Sequence, residues 1–336
     1  MGTTITQWIV RVFNRREASL LLVFLVLLAT FSLLSSRFLT TGTLTQLLIN
    51  TAIIVIVAVG EALVLFTRNI DVSVGSMIGV TAVFASSTAS DYSSLPLPFI
   101  VLAACLVGLI LGSVNGVLVA RLKVPSIMVT LGTLYVFRGL DSVLTGSNQI
   151  TSQFLAPGYA DIPLWNFAGI PGIFMYAAVI VVITHVFVER TYPGRSLLAL
   201  GSNPVAAEKL GIASRKLVYG AFAVTGVLCG LAGVMWGGLY GTVDSSVGSG
   251  FEIVILAAVV IGGVSTLGGS GSIAGVFMGS AILSVISVGL ALLNVSQFWV
   301  QALQGAVILA AVVAELVLRG RDRRPMAGLR APVAAK

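Results

Sequence analysis

The chain has 336 residues, of which 57% are hydrophobic and only 9% charged, against the roughly 25% charged that soluble domains carry. That excludes a water-soluble surface, and 37 Gly against 10 Pro points to apolar helices packed closely through small residues, because lipid gives helices no hydrophobic reason to associate. The formal net charge of +7 does not point to nucleic acid, since the basic residues are scattered over short connections and the two ends without interleaved aromatics.

A helix needs about 20 apolar residues to cross the hydrocarbon core, and helices satisfy their own backbone groups there. The sequence predicts about ten such spans, near residues 19–35, 47–67, 72–90, 97–119, 125–145, 170–188, 217–241, 252–264, 272–293 and 298–318. This is an all-α membrane protein, a polytopic helical bundle whose short eighth span reads as a broken or partial helix. The first span follows Arg11, Arg15 and Arg16 like a signal peptide. No small-x-small cleavage site precedes Arg37, so it reads as an uncleaved signal anchor.

Threaded with the N-terminus inside, the chain places Arg68, Arg121, Lys123, Arg190, Arg195, Lys209, Arg215, Lys216 and the cluster from Arg319 to Lys336 on the cytoplasmic side. Only Arg37 falls outside, and Arg138 falls within a span. This is the bias of the positive-inside rule, and an even number of spans returns the C-terminus to the cytoplasm. The resulting organisation is a cytoplasmic N-terminus (1–18), a transmembrane domain (19–318) and a basic cytoplasmic tail (319–336).

Carboxylates inside spans are costly and mark functional hypotheses. Glu61 shows no evident partner, which leaves packing, gating or coupling open. The segment from Thr67 to Ser76 sets charge and hydrogen-bonding groups between two spans. There Asp71 and Ser73 either cap the following helix or form a gate or contact surface at the inner mouth. Cys105 and Cys229 lie in apolar segments and read as packing residues. Arg138 and Asp141, three apart on one helical face, read as a local ion pair. His185, the only histidine, reads as a satisfied interfacial side chain, and Glu315 as snorkelling toward or pairing with Arg319.

Two longer hydrophilic segments differ in character. Residues 146–169 hold no Lys or Arg and fall outside; residues 189–216 are basic and fall inside. In the second, Asn203 is placed to cap a helix with Pro204 at its first position, Ala206, Ala207, Glu208, Lys209 and Leu210 form its body, and Gly211 stops it. Residues 72–80 and 268–276 are similar in their Gly and Ser pattern, an internal echo of the kind transporter repeats leave. No G-x-x-x-x-G-K-[ST] and no paired metal-ligand spacing appears in the sequence, so neither a P-loop nor a metal or cofactor site is expected.

Nearly the whole chain resembles the permeases of bacterial ABC sugar importers of the ribose, xylose, rhamnose and autoinducer-2 type, which are distantly similar to branched-chain amino acid permeases. The resemblance rests on Asn69 through Ser76, on Asn115-Gly116 through Arg121, on Val124-Pro125-Ser126 and Thr130 through Thr133, on Gly194-Arg195-Ser196 through Gly211-Ile212, and on Gly262-Gly263 through Gly271. Many sugar permeases of this family have two glycines where this chain has Arg68 and Asn69, and Thr-Arg-Asn-Ile-Asp is more like the autoinducer-2 and rhamnose branch.

The resemblance implies an inner-membrane subunit that pairs with a second permease, identical or related. It also implies two cytoplasmic ATPase subunits and an extracytoplasmic solute-binding protein as partners. Residues 201–212 would be the coupling helix, with Asn203, Ala206, Ala207, Glu208 and Gly211 carrying contact to the ATPase and Ala207 set for the closest fit. Asp71, Ser73, Asn115 and Glu61 are the candidates for a gate or pathway. The competing class is an ion-coupled secondary transporter, which needs intramembrane ion sites and no ATPase.

Overall fold

The computed structural model describes residues 15–146, 149–296, 298–306, 309, 310 and 313. The tail from 319 to 336, Glu315 and the inner part of the tenth predicted span lie outside the described residues, as does most of the N-terminal segment. In chain order the helices are α1 (Arg15–Leu34), α2 (Thr41–Phe66), α3 (Val74–Asp91), α4 (Leu97–Ala120), α5 (Ser126–Thr145), α6 (Asp161–Leu164), α7 (Gly172–Arg190), α8 (Tyr192–Ser202), α9 (Pro204–Lys209), α10 (Ser214–Tyr240), α11 (Phe251–Ile261) and α12 (Ile273–Leu292). Residues 298–306 are also helical.

Seven of the described helices are long and apolar enough to cross a membrane: α1, α2, α4, α5, α7, α10 and α12. Two of the predicted spans fall short of that standard. α3 is long enough but rich in Ser and Thr, and it is walled in by α4, α5 and α10. α11 has 11 residues, about 16 Å of helix against a hydrocarbon core of about 30 Å, and it gives way to a glycine-rich turn over residues 262–271. It is a partial helix, as its short apolar run led one to expect.

The centre of the bundle is α2. Every residue from Thr51 to Phe66 is buried, which follows from a sequence apolar on all sides rather than along one stripe. α7, α10, α11 and α12 surround it. The tightest helix pair is α4 with α10, where a Cβ on Gly108 would collide with the Gly226 carbonyl oxygen. Backbones approach this closely where a glycine leaves out the side chain that would stand between them.

The all-α expectation needs one correction. Four two-residue strands form outside the spans: β1 (Ile150–Thr151) pairs antiparallel with β4 (Thr242–Val243), and β2 (Asn166–Phe167) with β3 (Ile170–Pro171). The first pair ties the 146–169 segment to the end of α10. Next to it Gln149 donates to Asp244, whose carboxyl is held below its usual range by the Ser246 hydroxyl and amide and by Gln149.

Candidate functional site

At one end of the bundle the first turns of α2, the last turns of α10 and α12, the start of α11 and residues 298–306 enclose a cavity of about 690 Å³. That lies within the roughly 300–1,000 Å³ usual for small-molecule sites. Gln46, Asn50, Trp236, Ser284, Ser287 and Gln304 line it, and among the described residues no Asp, Glu, Lys or Arg does. Gln46 and Asn50 are four apart, so they share a helix face, and the Gln46 amide donates to Asn50 Oδ1 at 3.1 Å. Gln304 Nε2 donates to Ser287 Oγ at 3.2 Å. Trp236 packs edge-on against Phe251 at 5.4 Å. Neutral amides and hydroxyls beside aromatic faces can hydrogen-bond and stack an uncharged polyol and offer nothing to neutralise an ion.

None of the four residues singled out for a gate lines this cavity. The structure brings them together elsewhere, in a fully buried network at the far end of α2. The Asp71 amide donates to Glu61 Oε1 at 3.1 Å, so Glu61 has the partner that the sequence did not reveal. Asp71 Oδ1 accepts from the Ser73 amide at 2.9 Å and from the Ser73 hydroxyl at 2.6 Å, and Asn115 Nδ2 reaches Ser73 Oγ at 2.8 Å. Asp71 closes a turn onto the Ser73 amide just before α3, and the helix carries no side-chain cap. Ser73 occupies the N-cap of α3 but makes no side-chain cap, because its hydroxyl is spent on Asp71. Ser126 Oγ accepts from the Ile70 amide, which fastens the same segment to the first turn of α5.

A third set of contacts joins the end of α2 to the last residues of α8 and to the glycine-rich turn. Arg68 donates from Nε to the Gly201 carbonyl and from Nη2 to the Ser202 carbonyl at 3.0 Å. The Gly269 amide donates to Phe66 O, and Ser202 Oγ donates to Gly269 O. Arg68 has φ of 65°, a left-handed conformation that costs a non-glycine residue about 1–2 kcal/mol.

The short helix anticipated after Asn203 is present. Asn203 Oδ1 accepts from the Ala206 amide at 3.0 Å, Pro204 opens α9, and Gly211 follows with φ of 77°. Its orientation differs from the expectation in one respect. Ala207 is 2% exposed and turned into the protein, while Val205 and Leu210 are 65% and 78% exposed. Glu208 and Lys209 are exposed beside them, and Ala206 is half-buried. The free face of α9 is therefore Val205, Glu208, Lys209 and Leu210.

Of the remaining sequence candidates, Arg138 and Asp141 form the expected pair at 3.3 Å. His185 Nε2 lies 3.6 Å from Glu189 Oε2 on an exposed flank. Cys105 and Cys229 are free thiols, the second buried. Among the described residues no group of three or more His, Cys, Asp and Glu is placed to hold a metal ion. The cavity residues are neutral amides and hydroxyls, which stand out far less in an apolar sequence than charged side chains do. The signal was the Gln46 and Asn50 pair, two amides on one face of a 26-residue apolar helix.

Residues 43–312 match the family of branched-chain amino acid transport system permease components. The chain belongs to that permease family. It is 35% identical to the autoinducer 2 import system permease protein LsrC of Salmonella typhi over 306 residues, covering 91% of this chain and 87% of the relative. To the protein of the same name from Photorhabdus luminescens it is 34% identical over 324 residues, 96% of both chains. To that of Escherichia coli K12 it is 36% identical over 306 residues, 91% of this chain and 88% of the relative. No solved structure matches the chain. The permease is thus a multi-pass inner-membrane subunit of an ABC importer, as the sequence resemblance implied.

Proposed function

We propose that this permease conducts an uncharged polyhydroxylated solute of the rhamnose, pentose or autoinducer-2 class, entering through the cavity between α2, α10, α11 and α12. The solute is handed over by an extracytoplasmic binding protein, and transport is driven by separate ATPase subunits that press on α9. The observation that carries this reading is a lining without charged side chains among the described residues: amides of Gln46, Asn50 and Gln304, hydroxyls of Ser284 and Ser287, and the Trp236 ring. A pathway for an amino acid zwitterion would need partners for a carboxylate and an ammonium, which this lining lacks. The proposed topology has both chain ends, Arg68 and α9 in the cytoplasm, with the cavity opening to the outside, and a second permease copy or relative completing the pathway.

An ion-coupled carrier would set an ionisable side chain where the solute binds. Glu61, the candidate for that role, is away from the cavity and bonded to the Asp71 amide. The test is uptake into proteoliposomes holding the permease with its ATPase and binding protein, using labelled rhamnose, ribose, xylose and autoinducer-2 with an amino acid as control. Uptake of one polyol should require ATP, survive a proton- and sodium-dissipating ionophore, and fall in Asn50→Leu. ATPase-independent uptake abolished by the ionophore would overturn the proposal.

A further inference from the structure

Arg68 stands where the chain turns after the last residue of α2, and its backbone is left-handed, with φ of 65°. Its amide still bonds back to Leu65 O at 2.9 Å and the next amide to Val64 O. This is the position just past a helix end, where glycine is the residue that fits without strain. A large cationic side chain there is disfavoured locally, so its side-chain contacts are the place to look for what it contributes.

Those contacts converge on one point. The guanidinium forks onto two consecutive carbonyls, Gly201 and Ser202, the last of α8. Helix ends leave such carbonyls unpaired and slightly negative, and a fixed cationic fork suits them better than a single ammonium does. The very next residue, Asn203, is the N-cap of α9. On its other side Arg68 is three residues from Asp71, the hub of the buried network with Glu61, Ser73 and Asn115. The neighbouring Phe66 carbonyl holds the Gly269 amide, so the glycine-rich turn below α11 is fastened to the same spot. Movement of Gly201 and Ser202, the residues that lead into α9, must either carry the 66–71 segment along or break the fork.

We infer that Arg68 is the strut that passes displacement of α9 to the end of the central helix α2 and to the turn at residues 262–271. It is a positioning residue in coupling, with no contact to the transported solute. The inference rests on the reading of α9 as the ATPase contact. If Arg68 were merely a basic residue retained for topology, glycine in its place would relieve strain and raise stability with coupling intact, whereas a strut predicts no gain in stability, because the lost fork offsets the relieved strain, and poor coupling.

The experiment uses the complete importer in proteoliposomes, with solute transported per ATP hydrolysed as the readout and capture of the ATPase by the permease as the control. For Arg68→Gly we expect a melting midpoint no higher than that of the wild type, normal ATPase capture, and a transport-to-hydrolysis ratio lower by about tenfold or more, the weight of a charge-assisted hydrogen bond in a coupling equilibrium. Arg68→Lys, which keeps charge but loses the fork, should recover part of the ratio. Arg68→Asn, which tolerates the left-handed turn, should behave as Arg68→Gly does and serves if the glycine variant is poorly produced.

A wild-type ratio in the glycine and asparagine variants overturns the inference, and so does loss of ATPase capture, which would place Arg68 in docking. Leu210→Glu is run alongside. If it leaves ATPase capture and transport intact, the α9 reading itself fails, and that result is distinguishable from failure of the strut alone.

Discussion

Arg138 donates from Nη1 to the Val247 carbonyl oxygen at 2.6 Å, and the same nitrogen lies 3.2 Å from Ser245 O and 3.3 Å from Asp141 Oδ2. One guanidinium inside a predicted span thus pins the connection between β4 and α11 to α5 while neutralising a fully buried carboxylate. Removing the cation leaves the Asp141 carboxylate without its ion-pair partner, which costs roughly 3–5 kcal/mol where a pair is wholly buried and less here, because Arg138 is partly exposed. Arg138→Met is therefore expected to lower the thermal midpoint in detergent sharply. The Arg138→Met/Asp141→Leu double variant should regain part of the loss, though the 245–247 carbonyls stay unpaired. Equal midpoints for wild type and Arg138→Met would dismiss this ion pair as a stabilising element.

Orientation is testable without a structure. In a background lacking Cys105 and Cys229, single cysteines replace Ser152, in the segment paired with the end of α10, and Ser214, at the start of α10. An impermeant thiol reagent applied to intact cells is expected to label Ser152→Cys alone, because the basic residues partition to the Ser214 side. Labelling of Ser214→Cys would reverse the bundle.

The isolated chain is expected to hydrolyse no ATP, because its sequence holds no phosphate-binding loop. Hydrolysis should appear only when a cytoplasmic ATPase is added to the purified permease. Turnover by the homogeneous chain, resistant to further purification, would contradict this.

How much of this was legible in the sequence divides along physical lines. Spans, the partial helix at 251–261, the Arg138 and Asp141 pair and the cap and stop of α9 all depend on residues close in sequence, where spacing alone decides who meets whom. The partners of Glu61, the fork of Arg68 and the lining of the cavity depend on which helices become neighbours. The apolar character of α2 is the same on every side and so says nothing about that. The burial of Ala207 was not legible for a similar reason: a six-residue helix is too short to show a periodicity from which its buried side can be read.

That facing governs what variants in the coupling loop should do. Val205 and Leu210 are apolar, largely exposed and outside the predicted lipid-crossing segments, and exposed apolar anchors beside charged residues are what a partner's cleft takes up. Leu210→Glu is expected to leave membrane abundance and melting midpoint unchanged while abolishing ATPase capture and uptake. Ala207→Arg should act differently, lowering stability as well, since its side chain points into the protein and burial of an unpaired cation is costly. Gly211→Val should impair coupling through backbone strain alone. A Cβ there meets nothing within 4 Å, but φ of 77° is one a β-branched residue scarcely adopts. If α9 merely tethers α8 to α10, Leu210→Glu and Gly211→Val will both import at the wild-type rate and still stimulate the ATPase. That paired result at normal abundance would end the coupling assignment.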